Sequence, residues 1–280
     1  MTRSMKNYLH NDFYPGELVH VFDELPLWSA PFGLKLLDAV VYRSGITALD
    51  IGFGTGFPLT ELAMRLGDTS TVYGIDPWTD AIERTKRKIT YYGIKNINII
   101  EGVAESIPLN EDSIDLIVSN NGLNNVQDLD KVLSECSRVC KSGGQFVMTM
   151  NLDKTMLEFY HQLEEVLTEM KLNESIAKMR QHIYEKRRPL GELISLVQQH
   201  GFALKDVEHD QFNYTFANGT AMFNHYFIRM AFMTSWINLL PEDKVHQIFD
   251  TIESRLNGHA KIAGSVKLSI PYAMINAIKK

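Results

Sequence analysis

Residues 48–56 read Ala48-Leu49-Asp50-Ile51-Gly52-Phe53-Gly54-Thr55-Gly56, an apolar strand that carries an acid and runs into alternating glycines. A second apolar stretch, Thr71-Val72-Tyr73-Gly74-Ile75-Asp76, closes on another acid twenty residues beyond Gly56. Gly52, Gly54 and Gly56 let the backbone turn sharply from strand to helix and leave bare main chain for a ligand to lie against. Asp76, at the tip of the neighbouring strand, can accept both hydroxyls of a ribose. The simpler alternative is a tight turn with Asp76 as an ordinary N-cap, since Pro77 behind it suits a first helical position. The two acids at this spacing favour a nucleoside site. A nicotinamide dinucleotide loop would place its third glycine three residues after the second, where Phe57 stands.

Outward from this loop, short apolar strands alternate with amphipathic helices. Apolar residues at helical spacing (Phe32, Leu36, Leu37, Val40) predict a helix over 29–42, followed by a strand over 46–51. A helix over 58–67, strands over 71–75, 97–100, 114–119 and 145–150, and helices over 77–91 and 129–139 follow, with Lys141-Ser142-Gly143-Gly144 as a turn. This order implies a parallel sheet covered on both faces, with ligands at the C-terminal ends of its strands. Beyond 150, helical segments over 152–180 and 189–200 precede a strand over 202–208. An aromatic segment rich in Phe, Tyr, Met and Asn follows over 212–236, then a helix over 241–256. A last strand over 266–278 is expected to break near Pro271. Three parts result: an N-terminal lid and first helix over 1–45, a cofactor core over 46–150, and a part over 151–280 that completes the sheet, with a cap at about 209–256.

The pattern D-x-G-x-G-x-G at Asp50–Gly56 resembles motif I of the class I S-adenosylmethionine (SAM) methyltransferases, in which a methionyl group lies against the loop. Ile114-Asp115-Leu116-Ile117-Val118-Ser119-Asn120-Asn121 is similar to the strand-four signature of the type 11, or UbiE-like, branch. Glu135-Cys136-Ser137-Arg138-Val139-Cys140-Lys141-Ser142-Gly143-Gly144 resembles that branch's E-x-x-R-V-L-K-P-G-G. The resemblance covers about half the chain. It implies a Rossmann-like α/β fold with a seven-stranded, mostly parallel sheet, helices on both faces and a helical, aromatic cap. It also implies SAM as cofactor and S-adenosylhomocysteine as product. The cofactor residues it points to are Asp50, Gly52, Gly54, Gly56, Asp76, Pro77, Val103, Ala104, Glu105 and Asn120, with Tyr14 and Trp28 (and Tyr8 beside them) in a lid. In the segment Gly102-Val103-Ala104-Glu105-Ser106-Ile107-Pro108, Val103 replaces the acid that usually holds the adenine amino group, which leaves that contact to the backbone or to Glu105.

The methyl acceptor is less legible. Asn120-Asn121-Gly122-Leu123 lacks the N-P-P-Y or D-P-P-Y of enzymes that methylate nucleobases or glutamine amides, and a net charge of −6 offers no basic field to attract nucleic acid. A small-molecule nitrogen or sulfur acceptor is therefore expected; a protein or RNA methyltransferase and a SAM-binding protein without catalysis are the alternatives. Residues 25–33 and the stretch from Asn218 to Arg229 look similar to the methyltransferase domain of ovothiol synthases, which implies a mercaptohistidine-like imidazole. His225 and Arg229, four apart, would share one helical face with Ala221 and Phe232, either as a solvated stripe or as a pair facing substrate. Arg229 would clamp a carboxylate, His225 would accept or relay a proton, and Asn121 or Asn124 would position the acceptor. Lys186-Arg187-Arg188 reads first as a solvated run and second as an anion site.

Methyl transfer to a neutral amine, imidazole or thiolate needs no metal, and no side chains here have convincing ligand spacing. The lone cysteines Cys136 and Cys140 lack the further ligands of a zinc site and suggest small buried side chains in a reduced cytoplasmic protein. No apolar run reaches the roughly 18 residues of a membrane span, and the first residues lack the apolar core of a signal peptide. The oligomeric state stays open, a homodimer included.

Overall fold

The computed structural model describes Leu9 and residues 26–280. Tyr8 and Tyr14 lie outside the described residues. In chain order the elements begin with α1 (Pro26–Ala39), β1 (Thr47–Ile51), α2 (Leu59–Leu66), β2 (Thr71–Asp76), α3 (Thr79–Tyr92), β3 (Ile97–Glu101), β4 (Ile114–Asn120), α4 (Leu129–Val139) and β5 (Cys140–Asn151). They continue with α5 (Leu157–Glu169), α6 (Asn173–Lys186), α7 (Leu190–Gln199), β6 (Phe202–Phe216), α8 (Gly219–Asn224), α9 (Tyr226–Ile228), α10 (Thr234–Ile237), α11 (Val245–Ala263) and β7 (Val266–Lys279).

The seven strands form one sheet in the order β3-β2-β1-β4-β5-β7-β6. The pairings β1–β2, β1–β4, β2–β3 and β4–β5 are parallel, and β5–β7 is antiparallel. The order reverses between β1 and β4, and ligands of open α/β sheets bind at such a switch point. Alternate strand residues point to opposite faces, and both faces are covered. Leu49, Ile51 and Ile117 pack with Val132, Leu133 and Cys136 of α4 and Leu193 and Val197 of α7. Ala48, Val72, Leu116 and Val118 pack with Leu36 and Leu37 of α1, Leu59 and Leu62 of α2 and Ile82 of α3.

Four stretches depart from the sequence expectation. β5 starts at Cys140, because the residues expected as a turn are absorbed by a register shift in the pairing with β4 between Ile114 and Leu116. Gly143 has φ 77° there, and a Cβ on Gly144 would lie 2.7 Å from Cys140 Sγ. β6 runs eight residues beyond its expected end at 208. β7 passes through Pro271 unbroken. Its ladder with β5 ends at the Asn151–Tyr272 pair, so the missing N–H of Pro271 costs no hydrogen bond to β5. The helical stretch over 152–180 divides into α5 and α6 at Lys171, whose φ is 58°.

Among the described residues the chain forms two compact units. One contains residues 26–152, Arg187–Asp210 and Tyr272–Lys280 and holds the sheet core. The other contains Asp153–Lys186 and Gln211–Pro271, which adds 153–186 and 257–271 to the segment expected as a cap. Its core is aromatic. Phe159 stacks on Trp236 at 3.8 Å between ring centroids, Phe232 stacks on the same indole at 5.7 Å, and the Trp236 Nε1–H donates to Tyr160 Oη at 3.2 Å. Such ring pairs are each worth about 0.5–1.5 kcal/mol beyond their buried area. α8 is tied to α11, where Thr220 Oγ1 donates to the buried Glu253 and accepts from Asn257 Nδ2. No helix among the described residues is long and apolar enough to cross a membrane.

Candidate functional site: the glycine loop at the sheet switch point

The loop after β1 is held from three directions. Gly52 donates its N–H to Ile75 O at 2.9 Å, Thr85 Oγ1 of α3 donates to Gly54 O at 3.1 Å, and Lys88 Nζ donates to Thr55 O at 2.8 Å. Gly52, Gly54 and Gly56 have φ of 75°, 53° and 104°, a region that L side chains rarely enter. Their surroundings differ. A Cβ on Gly52 would lie 3.0 Å from Gly122 Cα, and one on Gly56 would crowd Thr85 at 3.2 Å, but one on Gly54 would meet nothing within 4 Å. Gly54 therefore presents open main chain, as a ligand cradle requires.

Both acids converge on this loop. Asp76 Oδ2 accepts the Gly54 N–H at 2.8 Å and Oδ1 accepts the Trp78 N–H at 2.9 Å, next to Pro77. The N-cap of α3 is Trp78, so Asp76 supports the turn without being the cap residue. Burial raises its pKa against the lowering effect of these two donors. Asp50 is wholly buried, and neither of its oxygens makes a full hydrogen bond. Burial foremost, and the nearby Asp76 charge second, raise its pKa well above the carboxylate range, with only weak relief from the Leu59 amide. A buried carboxylate without a partner is costly to ionise unless a cation meets it. The donor set thus fits a ligand that carries both positive charge and a ribose diol, and SAM carries both.

The segment after β3 lies alongside, with the Gly102 N–H on Asp76 O at 3.1 Å. Val103 is 49% exposed and Ala104 is buried. Glu105 Oε1 accepts the N–H groups of Gln127 at 2.8 Å and Asp128 at 3.2 Å. These bonds use one carboxylate oxygen, and the Val103 carbonyl accepts the Ser106 N–H at 3.2 Å; both sources expected for the adenine contact remain.

A family model described as a methyltransferase domain matches residues 42–218, more than half of the chain. The chain belongs to this methyltransferase family. A demethylmenaquinone methyltransferase of Bacillus mycoides is 32% identical over 126 residues, which are 45% of this chain and 52% of that protein. The chain spans about half the length of the curated relatives it matches. Among solved structures, a protein from Bacillus halodurans C-125 described as a putative methyltransferase aligns with a TM-score of 0.59 at 16% identity, covering 88% of this chain and 98% of that one. The geranyl diphosphate C-methyltransferase of Streptomyces coelicolor A3(2), solved with Mg2+, geranyl diphosphate and S-adenosyl-L-homocysteine, aligns with a TM-score of 0.55 at 15% identity, covering 99% and 88%. Its sheet order and glycine loop give the chain the Rossmann-like fold of the class I SAM-dependent methyltransferase family to which it belongs.

Other expected site residues of this methyltransferase have structural duties. Asn120, at the end of β4, donates from Nδ2 to Ser29 O at 3.2 Å and accepts from Thr149 Oγ1 at 3.0 Å, which ties α1 to the sheet. Gly33 of α1 is close to both Phe57 and Asn120, where a Cβ would collide with the Phe57 ring at 2.1 Å. Trp28 packs edge-on against Phe32 at 5.6 Å. Asn121 has φ 58°, and its Oδ1 accepts the Asn151 N–H at 3.1 Å, joining the ends of β4 and β5. Asn124 donates from Nδ2 to Asn151 O at 3.3 Å.

His225 and Arg229 belong to the aromatic unit, and the single helix expected to carry them is broken. His225 stands between α8 and α9 with φ −63° and ψ 128°, and Arg229 opens a π-helical turn over Arg229–Met233. One turn still links them, through the Arg229 N–H on His225 O at 3.1 Å. The break sets the imidazole beside rings of β6, at 5.3 Å from Phe216 and 6.0 Å from Tyr214. Its Nδ1 is buried without a hydrogen-bond partner, and burial lowers its pKa. Burial also pushes the Tyr214 hydroxyl up to about 12, so that it stays protonated. Neither His225 nor Arg229 is fully exposed, each being half-buried. Nor is Lys186-Arg187-Arg188 uniformly solvated, since Arg187 is only 4% exposed.

Proposed function

We propose that the protein transfers the methyl group of SAM to a nitrogen or sulfur of a small molecule, with a mercaptohistidine-like imidazole as the first acceptor to test. The observation that carries the donor half is the orphaned Asp50 carboxylate beside Asp76 and the open face of Gly54. When bound, SAM supplies an electrophilic methyl group on a sulfonium, and the reaction is an in-line displacement governed by alignment and dryness. Asp76 would hold the ribose diol, Asp50 would face the positive charge, and main chain over 103–104 would meet the adenine. On the acceptor side, His225 is kept neutral and offers Nδ1 to take the proton that an imidazole or thiol releases. Tyr214 remains a donor, Arg229 would grip a carboxylate, and Asn121 would help to shape the acceptor edge. Net charge of −6 supports a small molecule over RNA. The buried thiols of Cys136 and Cys140, both pushed up by desolvation, fit a reducing cytoplasm. A second reading, a reduced quinone carbon as acceptor, is favoured by the named activity of the demethylmenaquinone methyltransferase relatives.

The experiment is turnover with a panel of 4-mercaptohistidine, histidine, simple thiols and a soluble demethylmenaquinol analogue, for wild type, Arg229→Ala and His225→Ala. An amino-acid-like acceptor predicts that Arg229→Ala mainly raises KM and His225→Ala mainly lowers kcat, with SAM affinity little changed. Methylation of the quinol alone would transfer the function to the second reading. Wild-type turnover in both variants would remove the pair from the acceptor site.

A further inference from the structure

The segment that follows β3 is fixed by a side-chain clamp from α4. Arg138 donates from Nη1 to Leu109 O and from Nη2 to Ile107 O, both at 2.8 Å. Glu135 accepts the Ile107 N–H at 2.8 Å and receives Arg138 through Nε and Nη2, each at 2.7 Å. Arg138, as the largest influence, holds the Glu135 carboxyl below its ordinary range. Charge-assisted bonds in this fork geometry are short, directional and strong. The far end of the segment is pinned by Gly102 on Asp76 O, and its middle by Glu105 on the N–H groups of Gln127 and Asp128. Between these anchors lie Val103, whose exposed side chain cannot hydrogen-bond, and the buried Ala104.

We propose that Glu135 and Arg138 are positioning residues for cofactor recognition: by fixing the 102–109 loop they let its main chain, in place of a side-chain acid, select the 6-amino group of adenine. The proposal rests on the SAM reading above. A side-chain acid tolerates small loop movements through its own rotamers, but a backbone group moves with the loop. Base selection should therefore depend on a clamp that touches no cofactor.

The test is calorimetric titration with S-adenosylhomocysteine and with S-inosylhomocysteine, which carries an oxo group in place of the 6-amino group. Wild type should prefer the adenine form at least tenfold. Arg138→Met and Glu135→Gln should compress that preference to under threefold, mainly by weakening the adenine form. A purely structural role would lower the melting temperature and leave the preference intact, and that result would overturn the proposal. So would a wild type indifferent to the 6-amino group. If Arg138→Met does not fold, the isosteric Glu135→Gln decides. Binding of neither compound by wild type removes the SAM reading, and the proposal with it.

Discussion

Asp50 and Asp76 differ in what surrounds them, although the sequence presents them as a matched pair of strand-end acids. Asp76 is satisfied by two backbone donors, while Asp50 is buried, unpartnered and beside a like charge. Its folded pKa lies above the unfolded value near ~3.9, so the stability it contributes is present below that value and is lost as pH rises through the folded one. At neutral pH the residue is a cost to the ligand-free fold. Asp50→Asn should therefore raise the melting temperature without cofactor, by about 2–4 °C for each kcal/mol relieved, and shrink the further rise that SAM produces. Thermal unfolding with and without SAM checks both; a lower melting temperature without ligand would contradict the account. For Asp76, replacement by Ala removes two charge-assisted acceptors of about 1.5–3 kcal/mol each. SAM affinity should fall at least tenfold, with Asp76→Asn losing less, and calorimetry decides. These acids were legible in the sequence because spacing alone places them. The isolation of Asp50 was not, since it depends on which donors the two neighbouring strands and the loop bring near.

At the scale of elements, the β1–loop–α2 unit is the part whose geometry follows most directly from residue type. Gly54 has positive φ and faces open space, so Gly54→Val should strain the turn and fill the cradle while leaving a folded protein. Tight SAM binding by that variant in calorimetry would reduce the loop to a simple turn. Helix and strand positions in the sheet half followed from periodicity, and α4 was expected with its observed bounds. The failures have identifiable causes. β5 continues through a glycine-containing bulge that the sequence presents as a turn, and Pro271 sits where its ladder with β5 ends. The apolar run around His225 has helical spacing on both sides of a break that spacing cannot reveal. The Glu135–Arg138 clamp was visible only as part of a family motif, because the backbone carbonyls that Arg138 meets are 29 and 31 residues away.

For the molecule as a whole, the sheet order, the glycine loop and the matched family place the chain in the class I SAM-dependent methyltransferase family. The aromatic unit, over half of which lies beyond the family match, carries the residues proposed for the acceptor. The central claim is that the switch-point loop holds a cationic nucleoside donor. Its most direct test is calorimetric titration of the full chain with SAM, S-adenosylhomocysteine and NAD. One saturable site is expected for SAM and for S-adenosylhomocysteine, and no measurable heat with NAD; saturable NAD binding, or no binding of SAM, would rule that claim out.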